Sequence, residues 1–141
     1  MSRAATNRFL GIAPYLRVED VVRAAEFYRD ALGFSLDRYW GSEAGPFLAI
    51  VHRDGVRILL GNDAVPGSPP VARQASGGGT PVVYITVEDV DALCREYRLR
   101  GVKIVRAPET ANYGMREFVI EDGSGYLICF GHSVRQTKTG G

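Results

Sequence analysis

A chain of 141 residues accommodates one domain or two tightly fused halves, and about two-thirds of its surface can be buried without disulfide or metal staples. Its 45% hydrophobic and 23% charged residues describe a globular protein rather than a disordered or membrane-embedded one. Lys and Arg number 17 against 16 Asp and Glu, and a net charge of +1 supplies no field for nucleic acid or an anionic membrane.

The first eight residues carry Arg3 and Arg8 but no apolar run of the secretory kind, and a cytoplasmic protein is expected. Residues 12–18 are apolar and β-prone, and Glu19-Asp20 stands where carboxylates cap a helix start. Val21, Ala24, Ala25, Phe27, Tyr28, Ala31 and Leu32 recur at helical spacing, and Gly33 ends the helix as a C′ residue. Strands are predicted at 34–40, 47–52 and 56–60, the last two joined by the Asp54-Gly55 turn. Residues 61–80, with Pro66, Pro69, Pro70 and Gly77-Gly78-Gly79, read as a connector. The triple glycine precedes a strand and lacks a Lys-Ser/Thr ending, so it is not a phosphate loop. A strand at 82–87, a helix over 89–100 ended by Gly101, and strands at 103–106, 115–121 and 126–130 follow, with Asp122-Gly123-Ser124-Gly125 as the last turn. Cys94 and Cys129 fall in a predicted helix and strand and are expected to be reduced and buried.

The order is βαβββ twice, and the residues repeat with it. Val18-Glu19-Asp20-Val21 recurs as Val87-Glu88-Asp89-Val90, an offset of 69 residues (18 to 87) that also carries Tyr15 onto Tyr84, Tyr28 onto Tyr97 and Arg29 onto Arg98. The expected organisation is one structural domain made of an N-terminal module (1–65), a connector (66–80), a C-terminal module (81–132) and a loose tail (133–141).

Leu16-Arg17-Val18-Glu19-Asp20 followed by Phe27-Tyr28-Arg29-Asp30-Ala31-Leu32-Gly33-Phe34 resembles the opening of the glyoxalase/bleomycin-resistance/extradiol-dioxygenase (vicinal oxygen chelate) superfamily. Residues 87–93 and 116–127 resemble its second half. The resemblance implies an α+β fold in which two tandem βαβββ modules form an open, barrel-like mixed sheet around a cleft that binds a small molecule, commonly in a homodimer. It also implies that metal-binding members take ligands from four strand positions, which fall here at Ala13, near Leu59, at Val82 and at Cys129. Three of those side chains have no lone pair, so no metal and no cofactor is expected.

Strand alternation assigns Leu16, Val18, Val83, Ile85 and Val87 to the helix-packed side, and Tyr15, Arg17, Tyr84 and Thr86 to the cleft. The same parity sends Ile58, Leu60, Phe118 and Ile120 inward and leaves Arg57, Leu59, Met115, Glu117 and Val119 facing the cleft. Candidate ligand-binding residues are Tyr15, Arg17, Trp40, Phe47, Arg57, Tyr84, Tyr113, Met115 and Glu117, aromatic walls with sparse polar groups. Arg116 and Glu117 are alternatively a cross-strand ion pair, and His52 and His132 surface or turn residues. No nucleophile–base pairing is legible, so no catalytic residue is assigned. The leading expectation is a metal-free small-molecule binder that sequesters an aromatic or antibiotic-like ligand, without nucleic-acid or membrane partners, as a homodimer. The alternatives are a lyase, isomerase or dioxygenase of the same superfamily, using His52 and Glu117 at a displaced metal site or Glu117 as a base, and a protein-interaction module.

Overall fold

Two aspartates start the two helices: Asp20 accepts from the Arg23 amide at 3.0 Å and Asp89 from the Ala92 amide at 3.1 Å. Each satisfies a donor that the first helical turn leaves open. In the computed structural model, which describes residues 6–62 and 79–134, the first module runs β1 (Tyr15–Arg17), α1 (Val21–Asp30), β2 (Ser35–Ser42), β3 (Gly45–Arg53) and β4 (Val56–Gly61). The second repeats it as β5 (Val83–Thr86), α2 (Val90–Leu99), β6 (Lys103–Thr110), β7 (Met115–Glu121) and β8 (Leu127–Ser133). Gly101 follows the α2 cap as C′ with φ +77°, whereas Gly33, at φ +80°, comes one residue beyond C′ because α1 is capped at Ala31. The connector expected at 66–80 lies outside the described residues except for residues 79 and 80, as does the tail beyond residue 134. No helix among the described residues is long and apolar enough to cross a membrane.

Each module folds into its own four-stranded mixed sheet, ordered β1-β4-β3-β2 and β5-β8-β7-β6. The first strand of each module pairs parallel with the last, and the other pairings are antiparallel. No strand of one sheet pairs with the other among the described residues, so no barrel closes. Three elements depart most from the sequence reading. The run 12–18 contracts to β1, and Ile12 is 95% exposed because the ladder finds no partner beyond the Pro14 carbonyl, which accepts from Leu59. The strand expected at 103–106 extends to Thr110 through two register shifts. The last strand starts at Leu127 and continues to Ser133.

The core lies on the helix-bearing face of each sheet, and it is shared. Val21, Ala25 and Tyr28 of α1 and Val90, Cys94 and Tyr97 of α2 are buried in one cluster with Val51, Ile58, Phe118, Ile128 and Phe130. The repeated tyrosines join the modules through this face. Tyr28 donates to Asp122 Oδ2 at 2.7 Å, and Tyr97 donates to the Leu32 carbonyl at 2.9 Å. Arg53 donates to the same carbonyl at 2.7 Å and pairs with Glu96 at 3.0 Å, while Tyr126 donates to the Arg17 carbonyl at 2.6 Å. The other face of each sheet therefore looks away from the shared core.

Candidate functional site

The outer face of the second sheet is laid out by its ladder. Tyr84, Cys129 and Val119 form one row across β5, β8 and β7, and Thr86, Gly131 and Glu117 form the next. Gly131 is what lets Tyr84 cross between rows, since a Cβ there would land on the Tyr84 phenol. The ring lies over Gly131 and donates to Glu117 Oε2 at 2.7 Å, while Tyr113, in the turn before β7, donates to Glu117 Oε1 at 2.7 Å. One carboxylate thus gathers two phenols. Loss of solvent and then the bond to Glu117 raise the Tyr84 pKa, and the bond to Glu117 raises that of Tyr113. Below them Val119, Leu127 and Cys129 form a small buried cluster.

Glu117 does not pair with Arg116. Successive strand residues face opposite ways, and Arg116 reaches Asp91 of α2 at 2.8 and 2.9 Å, on the helix side. Those bonds hold the Asp91 carboxyl below its ordinary range. A lowered native pKa contributes stability above about pH 4 that fades as pH falls through the native value. Arg116→Gln is expected to flatten the acid limb of melting temperature against pH, and an unchanged limb would contradict it. His132 is on this side too, its Nδ1 accepting from the Val90 amide at 2.9 Å as a cap for α2.

The first sheet repeats the glycine device, with Tyr15 lying over Gly61 of β4. Register sets Tyr15, Leu59, Ile50 and Arg38 in one row, and Arg17, Gly61, Leu48 and Trp40 in the next. The Arg38 guanidinium sits 4.7 Å from the centre of the Trp40 ring. Arg57 stands across from His52, whose Nδ1 lies 2.6 Å from Asp37 Oδ1. A groove of about 700 Å³ runs along this face between Leu10, Ile50, His52, Arg57 and Leu59.

Of the nine candidate ligand residues, Tyr84 and Tyr113 both donate to Glu117, with Met115 on the same strand face as Glu117. Tyr15, Arg17, Arg57 and Trp40 share the outer face of the other sheet. Phe47 is set apart: it is the extra residue of β3 at the register shift opposite Trp40 and Gly41, half-buried and outside the core cluster. The sequence reading missed Gly61, Gly131, Asp37 and Arg38. The two glycines carried a readable signal, since an unforced glycine inside a strand marks a close approach. Asp37 carried none, being the extra residue of a β2 bulge.

The four positions where the resemblance implies metal ligands do not fit one. Ala13, Leu59 and Val82 offer only hydrocarbon, and the Cys129 thiol is buried, with its pKa pushed up by loss of solvent. No group of three or more His, Cys, Asp or Glu among the described residues is placed to hold a metal ion.

Two matched βαβββ sheets, each with an open face, define a known class of protein. The profile of the Glyoxalase/Bleomycin resistance protein/Dioxygenase superfamily matches residues 8–130, and the chain belongs to that superfamily. It is 33% identical over 139 residues to the protein Rv0887c of Mycobacterium tuberculosis, covering 95% of this chain and 81% of the relative. It is 27% identical over 114 residues to a "Probable lactoylglutathione lyase" of Synechocystis sp., covering 80% of this chain and 87% of the relative. Its fold matches that of TnmS3, an antibiotic binding protein from Streptomyces sp. CB03234, with a TM-score of 0.67, 23% identity, and coverage of 89% of this chain and 97% of the other.

Proposed function

We propose that this protein binds and sequesters a small aromatic molecule in a cleft built from the two outer sheet faces, without a metal. The observation that carries the reading is the cleft chemistry. A carboxylate bonded to two phenols, with arginines and a tryptophan on the other sheet, replaces metal donors at hydrocarbon positions. Aromatic rings supply area to a flat ligand, and the few polar atoms fix its orientation. The antibiotic-binding description of TnmS3 agrees with this reading.

Each of these faces lies opposite the shared core, and Tyr15, Trp40, Val82, Tyr84 and Tyr113 are between 44% and 59% exposed. Phe9 and Leu10 are 98% and 87% exposed. Apolar surface of this kind marks an interaction site, and in our reading a second copy covers it, so that the first sheet of one protomer faces the second sheet of its partner. Light scattering is expected to give a dimer, and a monomer at micromolar concentration would remove the shared cleft.

The test of binding is a thermal-shift screen of small aromatic compounds. Hits are expected to raise the melting temperature of the wild type and to lose about tenfold in affinity in Glu117→Gln, which removes one charge-assisted acceptor. Hits unaffected by Glu117→Gln and Tyr84→Phe would place the ligand elsewhere. The Synechocystis relative favours a second reading, a lyase, which predicts turnover of a thiol adduct that chelation abolishes.

A further inference from the structure

The outer face of the first sheet carries a polar group that the reading above leaves unused. His52 Nδ1 is 2.6 Å from Asp37 Oδ1. The Asp37 carboxylate accepts, so Nδ1 carries the hydrogen, and in the neutral ring Nε2 keeps its lone pair. The bulge between Leu36 and Arg38 is what makes this contact, because it inserts Asp37 as an unpaired residue beside the row that holds His52. The imidazole is thus held in one tautomer and one orientation on the wall of the 700 Å³ groove.

Directly across the β3–β4 ladder stands Arg57, on the same face and in the same groove. Side chains paired in this way start ~5 Å apart at Cβ. Arg57 forms no ion pair among the described residues. Arg17 and Arg38 share the face by register, and the groove also holds two acids, Asp37, which is committed to His52, and Asp54 of the β3–β4 turn. Arg57 is the arginine that lines the groove, with Ile50 and Leu59 as apolar flanks beside it.

We infer that this face binds an organic anion that carries a hydroxyl beside its carboxylate, the carboxylate pairing with Arg57 and the hydroxyl donating to His52 Nε2. The inference rests on the cleft-binding reading and names the ligand class for its first-sheet half. A guanidinium matches a carboxylate in charge and shape. In its neutral form the oriented imidazole accepts one hydrogen and so discriminates a hydroxyl from a methyl ether, which would leave Nε2 facing a group with no proton. A hydrocarbon ring between the two groups fits against Ile50 and Leu59.

The probes are salicylate, 2-methoxybenzoate and salicylamide, titrated by calorimetry and by the imidazole resonances of uniformly labelled protein at one fixed pH. Salicylate is expected to bind about tenfold tighter than either analogue and to shift the His52 signals. Arg57→Gln is expected to erase the preference over salicylamide while keeping that over the ether. Asp37→Asn and His52→Gln should do the reverse, with amide spectra confirming that each variant is folded. Equal affinities for the three probes, or salicylate binding that Arg57→Gln leaves intact, would overturn this inference while leaving the cleft reading in place if other aromatics bind. If no aromatic compound binds in the screen, both fall.

Discussion

Asp122→Ala is expected to lower stability by about 3 kcal/mol or more, and the melting temperature by about 10 °C. Asp122 is 4% exposed and accepts three hydrogen bonds, from the Tyr28 hydroxyl at 2.7 Å and from the Ser124 and Tyr126 amides, each at 2.9 Å. Alanine leaves all three donors without that acceptor, and buried donors cost more when orphaned than a bond contributes when made. The loss is felt twice, since the amides shape the β7–β8 turn and the Tyr28 bond joins the first helix to the second module. Asp122→Asn keeps a carbonyl for the amides and is expected to lose less. An alanine variant melting within about 2 °C of the wild type would contradict the joint. The pH dependence follows from the same burial, which outweighs the three hydrogen bonds and raises the Asp122 pKa. A carboxyl whose native pKa is raised contributes stability that is complete below its unfolded value and lost as pH rises through the native one. The wild type is therefore expected to lose stability relative to Asp122→Asn between about pH 4 and the raised native value, as paired melting curves would record.

Gly131→Ala is expected to weaken ligand binding by more than Tyr84→Phe does. A Cβ at Gly131 collides with the Tyr84 phenol, and the ring has to leave the position from which it reaches Glu117. Phenylalanine at 84 removes a hydroxyl and keeps the ring over the glycine; alanine at 131 displaces the ring itself into the space the ligand needs. Overpacking of this kind costs about 1–3 kcal/mol, and a loss of about tenfold or more in affinity for hits from the aromatic screen is the expected readout. Gly61→Ala should act in the same way through Tyr15. A Gly131→Ala variant binding like the wild type would separate Tyr84 from the site.

The topology was legible because the 69-residue offset preserves what each module needs locally. Asp20 and Asp89 cap equivalent helices, and Tyr28 and Tyr97 reach from equivalent helix positions into the other module. Alternation placed the faces of β4 and β7 correctly, with Ile58, Leu60, Phe118 and Ile120 all fully buried, because β4 pairs with β3 and β7 with β8 without a shift. It failed where the pairing slips. The bulges of β2 and β6 reset parity, which hid Asp37 and cut the predicted β6 short of Thr110. Ile12 shows the other limit: apolar residues continue past the point where the ladder has a partner, and hydrophobicity carries no information about where pairing stops. Contacts such as Tyr28 with Asp122, 94 residues apart, belong to module docking, which no local pattern encodes.

The most direct test of metal-free binding is calorimetric titration of a screened aromatic ligand before and after exhaustive chelation, with the metal content of both samples measured. The cleft chemistry predicts one ligand per chain at unchanged affinity, in protein holding far less than one metal ion per chain. Binding that vanishes on chelation and returns with a divalent cation would contradict it.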